Sequence, residues 1–367
     1  MRFELENRDT SSSARTGRLE VIHGTIETPA FAPVGTSAAV KGVPSDRLMD
    51  CGSQFVLANA YHLELQPGSE RIQEQGGLHR FMGWDRPILT DSGGYQVFSL
   101  SELREINSDG VEFRSPRDGS LMFLGPKEAI EIQGKLGSDI AMTFDECPPC
   151  PCSRETAEAA VDRTLKWAEM CKETHSKKNQ ALFGIVQGGE FEQLRKDCAE
   201  CLEDLDFDGY AIGGVSVGED KSSRRKVVGF TTPMLPEEKP RYLMGVGFPS
   251  DLLHAVGQGL DLFDCVAPSR MGRNATAFTE EGRLRLRNSA FQDDKRPIEE
   301  ACDCLTCRLY SRAYLSHLFR AQEMLGPILL TIHNIQFYHR MMLAARDAIN
   351  ANSFASFCSE FLSRYAD

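Results

Sequence analysis

Leu182-Phe-Gly-Ile-Val-Gln-Gly-Gly189, followed by the helical pattern of Phe191–Leu205 and then by Gly209-Tyr-Ala-Ile-Gly-Gly214, decides the fold. Leu182–Val186 is a short apolar run bounded by a turn signal, the pattern of a buried strand. The helical segment leads to a second run of the same kind, Gly209–Ile212. Strand, helix and strand in that order make a parallel crossover unit. The same character recurs at Phe31–Val34, Phe55–Ala58, Pro87–Thr90, Asp139–Phe144, Tyr242–Val246 and Leu262–Val266. Helical patterns link most of these runs, most visibly at Glu155–Lys177 and Pro249–Gln258. Eight strands with helical links predict an α/β fold, a (β/α)8 TIM barrel. The alternative is an open doubly wound sheet, but no glycine-rich dinucleotide fingerprint follows the first run. Leu19–His23 and Gly24–Thr28 read as an N-terminal hairpin. The insert Ser101–Leu124, with Asn107–Gly110 and Arg117–Gly119, reads as another.

The composition narrows the class. With 367 residues and 41 % hydrophobic residues, the chain can bury the core of one large domain or two ordinary ones. No apolar run reaches the ~18 residues of a membrane span, and polar Met1–Arg18 lacks the apolar core of a secretory signal. A cytoplasmic protein without a membrane partner is expected, so its 12 cysteines are thiols or ligands rather than disulfides. The net charge of −12 opposes nonspecific nucleic-acid binding but leaves room for a local basic patch. Arg270, Arg273, Arg283, Arg285 and Arg287 form one such patch, and Lys221, Arg224, Arg225 and Lys226 another; a solvated face is the bland reading of each.

In a parallel barrel, active groups sit at the carboxyl ends of the strands. The residues just past the runs are Asp91-Ser-Gly-Gly-Tyr-Gln96, Asp145-Glu-Cys147, Gln187-Gly-Gly189, Gly213-Gly214, Met244-Gly245 and Asp264-Cys265. Any one of them could be a turn or a cap, but polar groups and glycines at successive strand ends point to one functional rim. Asp91 precedes Ser-Gly-Gly, where backbone can approach a ligand closely. Asp264 ends the buried run Leu262-Phe263 and projects from a rigid strand into the barrel mouth. Two carboxylates in one pocket suit chemistry at an anomeric carbon, where one attacks or stabilises the cationic sugar and the other moves the proton. Carboxylate pairs also bind metals, but no histidine accompanies these strand ends.

Cys302-x-Cys304-x-x-Cys307 precedes a helical pattern through Tyr310, Tyr314, Leu318, Ala321 and Leu325. Gly326-Pro327 is expected to break that pattern, with His333 in the first two turns of the next helix. Three thiolates and one imidazole make a closed tetrahedral set, the mark of one structural Zn2+. Cys147-x-x-Cys150-x-Cys152 has almost the same spacing in mirror order, but prolines stiffen it and no histidine lies nearby. Cys147 is expected to line a pocket as a neutral thiol.

The chain resembles the tRNA-guanine transglycosylases of bacterial type over nearly its full length. The resemblance is carried by Thr28-Pro-Ala-Phe-Ala-Pro-Val-Gly-Thr36, Asn59-Ala-Tyr-His-Leu63, Asp91-Ser-Gly-Gly-Tyr-Gln-Val-Phe98, Phe144-Asp-Glu-Cys147, Ile212-Gly-Gly214, Phe263-Asp-Cys-Val266 and the Cys302, Cys304, Cys307 and His333 set. It implies that Asp264 is the nucleophile at the ribose anomeric carbon of the anticodon wobble guanosine, and that Asp91 is the acid/base. It further implies that Ser92, Tyr95, Asp145, Cys147, Gln187, Gly213, Gly214, Val217 and Met244 bind the base, with Tyr95 and Met244 as its two walls. Arg270 and Arg273 match residues that contact the anticodon loop. The expected partners are tRNA, a 7-deazaguanine base and a second copy of the chain. The division implied is a barrel with its hairpin over residues 1–290, a zinc-binding helical subdomain over 291–345, and a C-terminal helix packed on the barrel over 346–367.

The inserted base is expected to be 7-aminomethyl-7-deazaguanine in queuosine biosynthesis, because the enzymes that insert the larger queuine carry glycine where Val217 stands. The chain departs from the family pattern at Val215-Ser216-Val217, Pro268-Ser269-Arg270, Phe248, Cys150 and Cys152, and queuine salvage is the alternative. A noncatalytic tRNA-binding subunit would lack the carboxylate pair. A sugar-cleaving barrel would have no use for the arginines or the flat Tyr95/Met244 slot.

Overall fold

The computed structural model describes residues 1–100 and 104–365. Its centre is a parallel barrel of β1 (Ala30–Pro33), β2 (Val56–Asn59), β3 (Ile88–Asp91), β4 (Ile140–Met142), β5 (Ala181–Val186), β6 (Gly209–Ile212), β7 (Arg241–Leu243) and β8 (Leu262–Cys265). Each strand pairs with its sequence neighbour, and β8 pairs with β1 with Asp264 opposite Ala32. The ring closes between β1 and β2 through a single parallel bridge, Val34 with Leu57, beside which the Gly35 N–H donates to the Leu57 carbonyl at 2.7 Å. The expected (β/α)8 architecture stands.

Alternation along the strands explains why they read as continuous apolar runs. Ala30, Ala32, Leu57, Leu89, Ile140, Met142, Phe183, Ile185, Tyr242 and Leu262 fill the lumen. Their neighbours Phe31, Val56, Ala58, Ile88, Ala141, Leu182, Val186, Leu243 and Phe263 pack outward against the helices. Both faces are buried, so both must be apolar. The linking helices Arg154–Thr174, Glu192–Asp204 and Pro249–Gly257 fall within a few residues of their expected ends.

The barrel floor is plugged by an antiparallel sheet of Arg2–Arg8, Arg15–Val21 and Gly24–Thr28, whose Leu19 and Ile26 join the lumen cluster. The expected hairpin is there, with an added first strand that charged, half-exposed residues concealed. Arg15 locks the plug to the barrel through a 2.6 Å ion pair with Asp261, both side chains almost wholly buried. The insert forms three antiparallel strands, Arg104–Ile106, Val111–Arg114 and Leu121–Leu124, rather than one hairpin; residues 101–103 of that reading lie outside the described residues.

After β8 come the helix Ala267–Arg273, the hairpin Thr276–Thr279 with Gly282–Arg285, and the helices Leu305–Leu309, Arg312–Arg320, Leu325–Asn350 and Phe354–Arg364. One expectation is corrected here. Gly326-Pro327 does not break a helix but lies in the first turn of Leu325–Asn350, where the N–H that proline lacks would have no helical partner. The break falls at 321–324 instead, and His333 sits in the third turn rather than the first two. This one helix carries His333 near its start and packs farther along on β1 and on the floor sheet. No described helix is long and apolar enough to cross a membrane.

Candidate active site and metal centre

The mouth of the barrel is a cavity of about 500 Å³ that Asp91 and Asp264 both line. Asp91 ends β3, directly opposite Asn59 at the end of β2. Its Oδ2 accepts from Asn59 Nδ2 at 3.1 Å and from Gln96 Nε2 at 3.0 Å. Burial, reinforced by the charge of Asp264, pushes the Asp91 carboxyl up to about 6. Asp264 is held differently: its Oδ1 accepts from the Tyr242 hydroxyl at 2.6 Å and from the Gly245 N–H at 2.8 Å. Burial raises its pKa, against the pull of those two donors. Burial and the neighbouring Asp264 carboxylate hold the Tyr242 phenol well above its ordinary range, so it stays a donor.

The rest of the wall divides into flat and polar parts. Tyr95, which is 44 % exposed, and Met244 both line the cavity. Asp145 and Gln187 supply a polar edge, with Gln187 Nε2 donating to Asp145 Oδ2 at 2.6 Å. Burial lifts Asp145 to about 7, opposed by the Gln187 bond. The Gln187 Oε1 is buried and has no hydrogen-bond partner among the described residues. Cys147, Gly213, Gly214, Val217 and Arg270 complete the expected set around the cavity. Burial pushes the Cys147 thiol up to about 12, so it is neutral.

Two residues of the expected set stand apart. Ser92 is fully buried and does not line the cavity; its backbone N–H supports Asp91 instead. Arg273 lies at the end of the helix that carries Arg270 and does not line the cavity either. Glycine is needed where the backbone crowds. A Cβ on Gly94 would stand 2.6 Å from the Asp145 carbonyl, and one on Gly213 would stand 2.7 Å from Gln187 Nε2.

Sequence reading passed over Tyr242, Asn59, Gln96 and Arg195. Tyr242 reads as a core residue because it sits inside an apolar strand, and only its position beside Asp264 on the neighbouring strand gives it a role. Asn59 and Gln96 lay within motifs already quoted and could have been found by asking what satisfies Asp91. Arg195 is wholly buried on the helix after β5. It donates to the carbonyls of Gly189 at 2.7 Å, Val186 at 3.3 Å and Gly213 at 3.0 Å, tying the ends of β5 and β6 together.

The four expected metal ligands converge. Cys302, Cys304, Cys307 and His333 present ligand atoms all within 4.8 Å of one another. The three Sγ atoms lie 3.8, 3.7 and 3.3 Å from His333 Nδ1. His333 Nε2 donates to the Phe278 carbonyl at 2.8 Å, which leaves the Nδ1 lone pair to face the sulfurs. The donor set fits a closed tetrahedral ion, with Cys302, Cys304, Cys307 and His333 to hold it. Among the described residues, Cys147, Cys150 and Cys152 form no such group.

The family model described as queuine tRNA-ribosyltransferase matches residues 9–367. A queuine tRNA-ribosyltransferase of Pelotomaculum thermopropionicum is 53 % identical over 363 residues, covering 99 % of this chain and 98 % of the relative. One from Caldanaerobacter subterraneus subsp. tengcongensis is 52 % identical over 366 residues, 100 % and 98 % of the two chains. One from Bacillus licheniformis is 51 % identical over 366 residues, 100 % and 96 %. Fold and site thus define a barrel enzyme of the pentosyltransferase class. The chain belongs to the queuine tRNA-ribosyltransferase family.

Proposed function

We propose that this chain exchanges guanine at the anticodon wobble position of tRNA for 7-aminomethyl-7-deazaguanine through a covalent intermediate on Asp264. The observation that carries the reading is the carboxylate pair, Asp91 and Asp264, in a cavity that also has a flat slot and a polar edge. Asp264 attacks the ribose anomeric carbon as the bond to guanine breaks. The bonding pair leaves with guanine, and Asp91 supplies the proton that neutralises it. Asp91, now a carboxylate, takes the ring N–H proton of the incoming deazapurine. That nitrogen attacks the anomeric carbon, and the bond to Asp264 breaks. One proton leaves Asp91 and one returns, so a carboxyl near neutrality suits both half-reactions.

Tyr95 and Met244 sandwich the base, while Asp145, Gln187, Gly213 and Gly214 read its edge, as a flipped nucleotide requires. Cys147 packs beside it, and Ser92 holds the turn beneath Asp91. Val217 fills the space that a larger base substituent would need. Arg270 at the rim and Arg273 on the same helix contact the anticodon loop. The ion held by Cys302, Cys304, Cys307 and His333 is one Zn2+ that staples the loop before Leu305–Leu309 to the helix Leu325–Asn350. The exposed Leu309 and Tyr314, the latter stacked on Tyr310 with centroids 5.3 Å apart, support a homodimer through this subdomain. The test is an exchange assay on guanine-34 tRNA with both bases. Incorporation of the aminomethyl base in preference to queuine is expected, and the reverse preference overturns the choice of base.

A further inference from the structure

Three arginines cluster beyond the catalytic cavity. Arg283, Arg285 and Arg287 line a separate cavity of about 350 Å³ with Met271, Asn274, Ala275 and Thr276, and no acidic residue lines it. Among the described residues none of the three guanidinium groups makes an ion pair or a hydrogen bond within the protein, although Arg283 lies over the Phe248 ring at 5.8 Å. Elsewhere Arg15, Arg163, Arg224, Arg225, Arg296, Arg312 and Arg340 pair with carboxylates, whereas this groove brings three guanidinium groups together with no carboxylate in its lining. In a chain of net charge −12, three adjacent unpaired cations are not a consequence of a shortage of acids.

Strand geometry puts Arg283 and Arg285 on one side of Gly282–Arg285, and the turn that follows carries Arg287. Leu284 packs against the core around the cysteine cluster and Leu286 is fully buried within it, so 283, 285 and 287 face outward. The pairing of Gly282–Arg285 with Thr276–Thr279, extended by the Leu286 N–H to the Ala275 carbonyl at 2.8 Å, fixes that register. Arg283 and Arg285, alternate residues of the strand, are offset by ~6.7 Å along it, close to the interval between successive phosphates of an extended nucleic-acid strand.

The groove is also joined to the active site. Val266, Arg270 and Asn274 follow helical spacing along one face of Ala267–Arg273 and its two caps. Val266 and Arg270 line the catalytic cavity and Asn274 lines the arginine groove. The eight residue steps from Val266 to Asn274 span about 12 Å, a length that a few nucleotides of single strand cover.

We propose that the groove of Arg283, Arg285 and Arg287 holds the phosphodiester backbone of the tRNA strand as it runs past the catalytic cavity, a contact separate from recognition of the wobble base. The inference rests on the tRNA reading of the site. The experiment measures tRNA binding by anisotropy across salt concentrations and, in parallel, KM and kcat for guanine exchange. It compares the wild type with the R283A/R285A/R287A variant and with an R285A/R287A variant that spares the stacking on Phe248. Binding should weaken tenfold or more in the triple variant, with the loss in KM and not in kcat. The slope of log affinity against log salt should fall by about 2, as for three single-strand phosphate contacts. Lysine at the same positions should restore most of the slope. Retention of wild-type affinity and slope in both alanine variants overturns the groove, even where the wild type exchanges guanine. Absence of exchange by the wild type refutes the functional reading instead, and the binding slopes then judge the groove alone.

Discussion

The barrel mouth and the cysteine–histidine cluster each gather four polar side chains, and they dispose them in opposite ways. Cys302, Cys304, Cys307 and His333 aim at a single point, and the far nitrogen of His333 is already bonded to Phe278. Asp91, Asp145, Gln187 and Asp264 surround a space instead. Their carboxyls are pushed upward by burial, and Gln187 Oε1 is left without a partner. Convergence on a point satisfies the groups with an ion and stabilises the fold. Divergence around a cavity keeps carboxyls of raised pKa facing a space that a ligand can fill, which costs stability and provides chemistry.

Asp264→Ala should lower base exchange by at least ~10⁴-fold, since it removes the attacking group itself, while the melting temperature stays at or above that of the wild type. Wild-type turnover in that variant would end the assignment. Cys304→Ala should do the reverse. It should release the metal and cost several kcal/mol of stability, read as a lower melting temperature and a metal-to-protein ratio near zero by elemental analysis. Full metal content at an unchanged melting temperature would show that the four groups do not act as one site.

Smaller effects sharpen the distinction. Tyr242→Phe removes one hydrogen bond to the Asp264 carboxylate, worth about 1.5–3 kcal/mol, so kcat should fall roughly 10- to 100-fold with the fold intact. An unchanged kcat would leave Tyr242 a core residue only. Asp91 sets a pH dependence with a definite sign. Its folded pKa of about 6 lies above the ordinary 3.8, so the folded state binds more protons between these values and loses stability as pH rises through that window. Asp91→Asn should therefore be more stable than the wild type at pH 7 by about 1–3 kcal/mol, the gain vanishing below pH ~4, while guanine release slows sharply. A variant less stable at pH 7 than at pH 4, relative to wild type, would contradict that sign. The smallest change expected is in base choice: Val217→Gly should improve the use of queuine relative to the aminomethyl base by about tenfold, the worth of a few methyl groups in an apolar pocket.

The parts of this picture that could be read from the sequence are those written in local pattern. Runs such as Leu182–Val186, apolar because both faces are buried, announced the barrel, and Cys302-x-Cys304-x-x-Cys307 announced a metal site before its fourth ligand was placed. Strand-end motifs brought most of the cavity lining into view because a parallel barrel puts those ends on one rim. What escaped depended on contacts between strands. Tyr242 looks like any other core aromatic until β7 and β8 are set side by side, and Arg195 looks like a surface arginine of an amphipathic helix until its guanidinium is found beneath three carbonyls. The charged strand Arg2–Arg8 hid because its exposed face carries no apolar signal. Gly326-Pro327 misled because the same dipeptide can end a helix or begin one.

A covalent bond between Asp264 and the ribose of tRNA is the centre of the proposed mechanism. The direct measurement is to mix the protein with guanine-34 tRNA and a base analogue that stalls the second half-reaction, denature, and map the RNA-bearing peptide by mass spectrometry. A denaturant-resistant RNA–protein species with the ribose on Asp264 is expected, absent in Asp264→Asn. Base exchange without any such species, or an adduct mapped to another residue and retained in Asp264→Asn, would contradict it.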